Sequence, residues 1–367
     1  MKRINIMTSC DDRLSKMILP QLASIDKNLS GYEVHFYLVH TRIEPDNVKL
    51  LKDFVKAKTG IIFHEIVVAE NLDFYESLVE KGGGQWPHEA YITLRIQDYI
   101  PDDVDRIMYI DSGDVIIDGD IGPYYFGDFE GNSIIATPVS LKTNSVTGEK
   151  TLYSRDDILD IAMKGSLFNS GSYVINVDKF RSEGYTIEDY LYLADALIKN
   201  NTKYNAAYFG DQGFLAAAFV EDVKFYGYPE YKDPSFMPYN FRSLFWPLYK
   251  KELTYTPIVV HYAIIAKPWV VRFSEKEIMT IIDQPGFIGR KMTVPIPTIG
   301  YMTPEHLRLG EIWWSYAKET PIYEETDIRA RITADSWVKY YFPLCENYQI
   351  AYENILKLKA MVEQGQT

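Results

Sequence analysis

Arg106-Ile-Met-Tyr-Ile-Asp-Ser-Gly-Asp-Val-Ile-Ile-Asp-Gly-Asp120 is the stretch on which the reading of the fold turns. Ile107 to Ile110 is a short, nearly continuous apolar run, as expected of a strand buried on both faces. Polarity then inverts at Asp111-Ser112-Gly113-Asp114. Two carboxylates at the carboxyl end of a buried strand are costly unless something positive lies between them. A divalent cation answers that need, because hard oxygen ligands hold it and it can bridge two phosphates. In open α/β sheets this strand end is also where ligands bind. Taken alone, the stretch favours a plainer reading, an Asp/Gly turn that merely reverses the chain, and Asp118-Gly119-Asp120 reads as such a turn. What shifts the balance lies elsewhere in the chain.

A chain of 367 residues can bury a large core. Its net charge of −13 argues against a general nucleic-acid partner, which requires clustered Lys and Arg. It does not exclude a phosphate-bearing ligand, since a bound cation reverses the local field. Two cysteines, Cys10 and Cys345, make no disulfide framework and fit a reducing compartment. No apolar run is long enough to span a bilayer, and no signal-peptide pattern opens the sequence, so a cytoplasmic protein is expected. The sequons at Asn28 and Asn200 then carry little weight. The 29 tyrosines suit sugar stacking and a plain core equally well.

Outward from the acidic stretch, strands and helices alternate. Ile4 to Met7, Glu33 to Val39 and Ile61 to Val67 read as strands, and Asp46 to Lys58 as a helix. Leu14, Ile18, Leu22 and Ile25 mark another helix, which Pro20 kinks or delays. His88 to Ile100 reads as a helix leading into the central strand. Lys81-Gly-Gly-Gly-Gln85 is a loop without the spacing of a dinucleotide fingerprint, and no Walker A occurs. Beyond the centre come a strand at Ser133 to Pro138 and a helix at Arg155 to Lys164. Phe168-Asn-Ser-Gly then leads into an apolar strand, and a helix follows at Ile187 to Lys199. A further helix starts at Asp211-Gln212 with Asp211 as its cap, and a strand ends at His261. This alternation predicts an α/β fold with a mostly parallel sheet covered by helices. From about Val271 it fades into helical segments at Gly310 to Lys318 and Ile328 to Phe342.

Singly, His261 reads as a core histidine, Asn169 as a turn residue, Asp211 as a cap and Lys267 as a solvated charge. In order, the motifs resemble glycosyltransferase family 8, the retaining nucleotide-sugar transferases of GT-A fold. The resemblance rests on five matches over residues 4 to 270: Asp11-Asp12 after the first strand, the acidic motif at Asp111, Phe168-Asn-Ser-Gly171, Asp211-Gln212, and His261 to Lys267-Pro-Trp269. Glu311-Ile-Trp-Trp-Ser-Tyr-Ala-Lys-Glu-Thr-Pro321 is similar to the tail of many bacterial members.

The resemblance implies a Rossmann-like GT-A catalytic domain over residues 1–270 and a mainly helical appendage over 271–367. It implies transfer of glucose or galactose from a UDP-sugar, through an α-linkage, to a glycan or lipid-linked saccharide such as lipopolysaccharide or capsule. By the same resemblance Asp111, Asp114 and His261 hold the metal, with Mn²⁺ favoured over Mg²⁺ by the nitrogen ligand. Lys267 neutralises the diphosphate, Asp11 contacts the uridine and Ser112 the donor. Asn169, Ser170, Asp211 and Gln212 line the donor sugar, with Gln212 nearest the anomeric carbon. Retention follows from front-face attack or a covalent intermediate, between which the sequence does not choose.

Four positions depart from the family pattern. Asp-Ser-Gly-Asp carries one residue more than Asp-x-Asp, Arg13-Leu14 replaces Asn-Tyr, Thr93 stands where a basic residue is common, with Arg95 two residues on as the candidate substitute, and Ile264 replaces a glycine. The extra residue demands a sharper turn, which Gly113 can make at positive φ. A non-catalytic sugar-binding relative is the alternative reading. Trp313, Trp314 and Trp337 mark apolar helix faces that need cover, or else a peripheral membrane contact or an acceptor contact.

Overall fold

The computed structural model describes residues 1–82, 87–138, 142–143, 150–151, 168–200, 211–219, 221–226, 258–262, 267–274, 276, 304–336 and 339. Arg155 to Lys164, Ile264 and Trp337 lie outside them, as do the side chains of Asn169 and Asp211. The chain divides into two compact units, Met1–Asn240 with Tyr255–His261, and Phe241–Thr254 with Tyr262–Thr367.

Among the described residues, the first unit is built on a seven-stranded sheet. Its strands are β1 (Arg3–Ser9), β2 (Glu33–His40), β3 (Ile62–Val67), β4 (Arg106–Ile110), β6 (Ile134–Pro138), β9 (Phe168–Asn176) and β10 (Val223–Phe225), in the order β10-β6-β9-β4-β1-β2-β3. β1 pairs in parallel with β2 and β4, β2 with β3, and β6 with β10. β9 runs antiparallel to both β4 and β6. The sheet is thus mostly parallel, as the alternation of elements predicts. The one reversed strand is beyond the reach of periodicity, which is the same for either direction. Central strands β1 and β4 are buried on both faces, Ile4, Ile6, Met7, Ile107, Met108 and Ile110 being fully inaccessible.

Two small pairings stand apart. β7 (Lys142–Thr143) pairs with β8 (Lys150–Thr151). β5 (Val115–Ile117), which sequence reasoning missed, pairs antiparallel with β11 (Val259–His261) and sets His261 opposite Val115. Three residues of β-branched apolar side chains are too few for a period-2 signal; the partner strand makes them a strand.

Helices α1 (Ile18–Asn28), α2 (Pro45–Lys58), α3 (Leu72–Lys81), α4 (Gly122–Tyr125), α5 (Val177–Glu183), α6 (Ile187–Asn200) and α7 (Asp211–Ala218) belong to this unit. Pro20 falls in the first turn of α1, where its missing N–H costs nothing, so it delays the helix without kinking it. A 3-10 turn at Ser15–Met17 precedes α1 and leaves Leu14 outside. His88–Asp98 is a 3-10 segment instead of a regular helix. Arg95 leaves helical geometry inside it (φ −123°, ψ 28°), and its guanidinium bonds Asp98 and the Tyr185 carbonyl, a tertiary pull invisible to periodicity.

The second unit contains α8 (Pro304–Ala317) and α9 (Tyr323–Ser336); Trp313 and Trp314 on α8 are both essentially fully buried, and Trp314 meets Tyr323 at the start of α9 with 6.2 Å between ring centres. Trp269 stacks obliquely on Trp313 at 5.5 Å between ring centres. The tryptophans therefore cover a core within this unit. No helix among the described residues is long and apolar enough to cross a membrane.

Candidate active site

The carboxyl ends of β1 and β4 lie side by side, because these strands are parallel neighbours. Polar residues follow both: Cys10-Asp11-Asp12 after β1 and Asp111 to Asp114 after β4. At this edge Asp111, Asp114 and His261 each offer a ligand atom, and these atoms all lie within 4.8 Å of one another. Among the described residues, neither Asp118 nor Asp120 joins such a group. Asp120 Oδ1 accepts from Tyr32 Oη at 2.9 Å and from Gly122 N at 2.7 Å, the bonds of a turn residue.

Asp111 is held at three points. Its N–H donates to the Gly171 carbonyl (3.0 Å), its Oδ1 accepts from the Tyr109 hydroxyl (3.0 Å), and its Oδ2 stands 3.2 Å from His261 Nε2. His261 is almost wholly buried and fixed by the β11–β5 register. Asp114 reaches the same place because Gly113 turns the chain at φ +70°, a conformation that costs other residues about 1–2 kcal/mol. A Cβ on Gly113 would also stand 2.6 Å from Met17 Cβ. The expected sharp turn is therefore present, with no room for a side chain.

Gly171 matters for a different reason. A Cβ there would fall 2.2 Å from His261 Cε1, 2.6 Å from its Nδ1 and 2.7 Å from Asp111 Oδ2. The glycine of Phe168-Asn-Ser-Gly lets β9 pass directly beneath the imidazole and the carboxylate. Beside it, Ser170 N–H donates to Gln212 Oε1 at 3.2 Å, so the carboxamide of α7 is oriented by β9. Two carboxylates and an imidazole whose ligand atoms lie this close together fit a divalent cation.

Other sequence-derived candidates have local partners. The Ser112 hydroxyl donates to the Ser9 carbonyl at 2.6 Å and lies 2.8 Å from Thr8 Oγ1, so it is engaged with β1. Asp11 accepts from Arg13 N and Leu14 N and pairs with the exposed Arg13 guanidinium at 2.5 Å. Asp12 accepts from Asn47 Nδ2 and Glu44 N at the start of α2, and these bonds hold its carboxyl below the usual carboxylate range. Cys10, just before Asp11, is buried, and burial pushes its thiol above the ordinary value. Thr93 is buried, and Arg95 is tied to Asp98 and Tyr185. Lys267 belongs to the second unit, where Nζ donates to the Tyr262 carbonyl at 2.8 Å. Asn169 lies on β9, and Asp211 opens α7 as its first residue.

Sequence reasoning assigned no role to Tyr109, Gly171 or Gln21. Tyr109 reads as one more apolar strand residue, and only its hydroxyl partner distinguishes it.

The profile of glycosyl transferase family 8 matches residues 5–271. Lipopolysaccharide 1,2-glucosyltransferase of Escherichia coli is 21% identical over 265 residues, 72% of this chain and 73% of that protein. Probable galacturonosyltransferase-like 4 of Arabidopsis thaliana is 32% identical over 99 residues, which is 26% of this chain and 28% of that protein's length. Among solved structures, galactosyltransferase LgtC in complex with donor and acceptor sugar analogues aligns with a TM-score of 0.50 at 20% identity, over 72% of this chain and 89% of that one. The bifunctional glycosyltransferase WbbM in its apo form aligns with a TM-score of 0.54 at 16% identity, over 89% of this chain and 52% of that one. With these likenesses and a mostly parallel sheet flanked by helices, the fold is of the GT-A type. With its match running from the first strand to just past His261, the chain belongs to glycosyl transferase family 8.

Proposed function

We propose that this protein is a metal-dependent retaining hexosyltransferase, which moves glucose or galactose from a UDP-sugar to a saccharide acceptor with an α-linkage. The observation that carries the reading is the convergence of Asp111, Asp114 and His261 at the ligand edge of a family 8 sheet. The two carboxylates and the imidazole would hold Mn²⁺ or Mg²⁺, which when bound supplies positive charge for the diphosphate of the leaving group. Tyr109 keeps Asp111 turned toward that position through its hydroxyl. Ser170 orients Gln212, whose carboxamide we assign to the donor sugar beside the reacting carbon. Asn169 and Asp211, neighbours of these two in sequence, are assigned to the same sugar. Asp11 is assigned to the nucleoside, Ser112 to the donor and Lys267 to the phosphates. The acceptor is a lipopolysaccharide, capsule or other glycan, met on the cytoplasmic side of a membrane. The E. coli relative, a lipopolysaccharide glucosyltransferase, supports that acceptor class.

The test is UDP release from UDP-glucose and UDP-galactose without acceptor. Slow turnover that needs Mn²⁺ and stops with chelator is expected of a transferase and not of a binding module. If no UDP-sugar is hydrolysed and none raises thermal stability in the presence of Mn²⁺, the reading fails.

Two substitutions probe the roles separately. Gln212→Ala is expected to lower kcat roughly 10²-fold with KM for the donor nearly unchanged, because its contact is made at the reacting centre. An equal loss in both parameters would make it a binding residue only. Asp114→Asn is expected to raise the Mn²⁺ concentration needed for half-activation about tenfold, on the order of 1.4 kcal/mol. Unchanged Mn²⁺ dependence would remove Asp114 from the ligand set despite its placement.

A further inference from the structure

Gln21 lies on α1, ninety residues before the acidic turn, and is completely buried. Its side-chain nitrogen donates to the carbonyl of Asp111 and to the carbonyl of Val115, each at 2.9 Å. These carbonyls flank Ser112-Gly113-Asp114 on either side. In an extended strand, carbonyls four residues apart are too far separated to share one donor nitrogen. They converge here because Gly113 reverses the chain, and both hydrogens of one amide lock the reversal in place.

The rest of α1 reinforces this contact. Met17, immediately before the helix, packs against Gly113 and leaves no space for a Cβ. Further along, Ser24 Oγ accepts from Ile117 N at 3.2 Å, and Asn28 Nδ2 donates to Ile117 O at 2.9 Å. Gln21, Ser24 and Asn28 fall on one helix face, three and four residues apart. They pair with β5 backbone along its length, while β5 also pairs with β11, the strand that carries His261. Gln21 is the rung nearest the carboxylates.

We propose that Gln21 is a positioning residue for the metal site: by tying Asp111 to Val115 it lets a turn one residue longer than Asp-x-Asp present both carboxylates to one cation. The inference rests on the metal-site reading of Asp111, Asp114 and His261. The orientation of the amide follows from its partners, since exchanging nitrogen and oxygen would set an acceptor against two carbonyls. Its Oε1 is then buried with no hydrogen-bond partner among the described residues. A leucine would fill the same volume without that penalty, so packing alone does not account for a glutamine.

The test is Mn²⁺ binding by the full chain, with the free ion followed by electron paramagnetic resonance and the metal alone as probe. Gln21→Met keeps the volume and removes both donors. We expect it to weaken Mn²⁺ binding about tenfold, the usual scale for loss of a group that orients metal ligands. Asn28→Leu, which breaks the far rung of the same ladder, is expected to stay within about twofold of wild type, because its carbonyl partner is outside the acidic turn. Should Gln21→Met fail to fold, Gln21→Asn keeps the donors on a shorter arm and is expected to bind with intermediate affinity.

Wild-type affinity in the folded Gln21 variants, alongside weakened binding in Asp111→Asn, overturns the inference alone. Equal losses in Gln21→Met and Asn28→Leu also overturn it, by reducing Gln21 to a stability residue. A wild-type chain that binds no Mn²⁺ overturns the metal-site reading and this inference with it.

Discussion

Gly171→Ala is expected to lower Mn²⁺ affinity by roughly 10²- to 10³-fold and to stop transfer at ordinary metal concentrations. The reason is geometric. The added Cβ would stand 2.2 Å from His261 Cε1 and 2.7 Å from Asp111 Oδ2, well inside van der Waals contact. The imidazole has nowhere to go, since His261 is only 4% exposed and its strand is pinned to β5. Two ligands are displaced at once, and a loss of roughly 10- to 30-fold for each multiplies to the expected range. The overall fold should survive, because the clash is confined to the ligand-binding end of the strands, where Asp111 and His261 stand. Circular dichroism and a Mn²⁺ titration of UDP release check both halves. Normal Mn²⁺ activation in a folded Gly171→Ala protein would falsify the role assigned to Asp111 and His261.

Arg272→Ala is expected to destabilise the second unit by about 3 kcal/mol, with no direct effect on metal binding. Arg272 is 8% exposed and makes a two-pronged contact with Glu311, at 2.9 Å from Nε and 2.6 Å from Nη2. It also bonds Asp327 at 2.7 Å, and its guanidinium lies 4.5 Å from the centre of the Trp314 ring. Breaking a buried pair costs about 3–5 kcal/mol, much of it from the partner left charged and unpaired. The low end applies, because the Glu311 side chain is 43% exposed and can rehydrate, and Asp327 keeps Arg331 at 3.1 Å. Denaturant melts of wild type and Arg272→Ala would measure the loss; a difference under about 1 kcal/mol would show the network to be solvated.

The same pairs set an acid limit on stability. Burial by itself would raise the Asp327 carboxyl, but bonds from Arg272 and Arg331 more than reverse this and hold it below its ordinary 3.8. Its stabilising contribution is therefore present above that ordinary value and is lost as pH falls through the lower folded value. Arg272→Ala should show a shallower acid loss than wild type in melts between about pH 5 and 2.

Nothing in the sequence singles out Arg272. It follows a tryptophan motif and reads as one more solvated cation, and its importance arises from helices about 40 to 55 residues further on. Tyr109 and Gln21 escaped notice for the same reason. Each is an ordinary residue of its element, an aromatic in a buried strand and a polar residue in a helix, whose partners are fixed only when the chain folds.

What the sequence by itself determined was the order of strands and helices and the chemistry at strand ends. Buried apolar runs that stop abruptly at carboxylates, amides or histidine are local patterns, governed by side-chain period and by the cost of burying charge. The Gly113 turn was equally legible, since an extra residue between two carboxylates demands a reversal that only glycine makes cheaply. Tertiary structure alone decided how those ends meet. The reversed direction of β9, which brings Gly171 beneath His261, leaves no trace in periodicity. Neither does the pairing of β5 with β11, which sets His261 opposite Val115 from more than 140 residues away. The period along a strand reports which face is buried; neighbour, direction and register are properties of the assembled sheet.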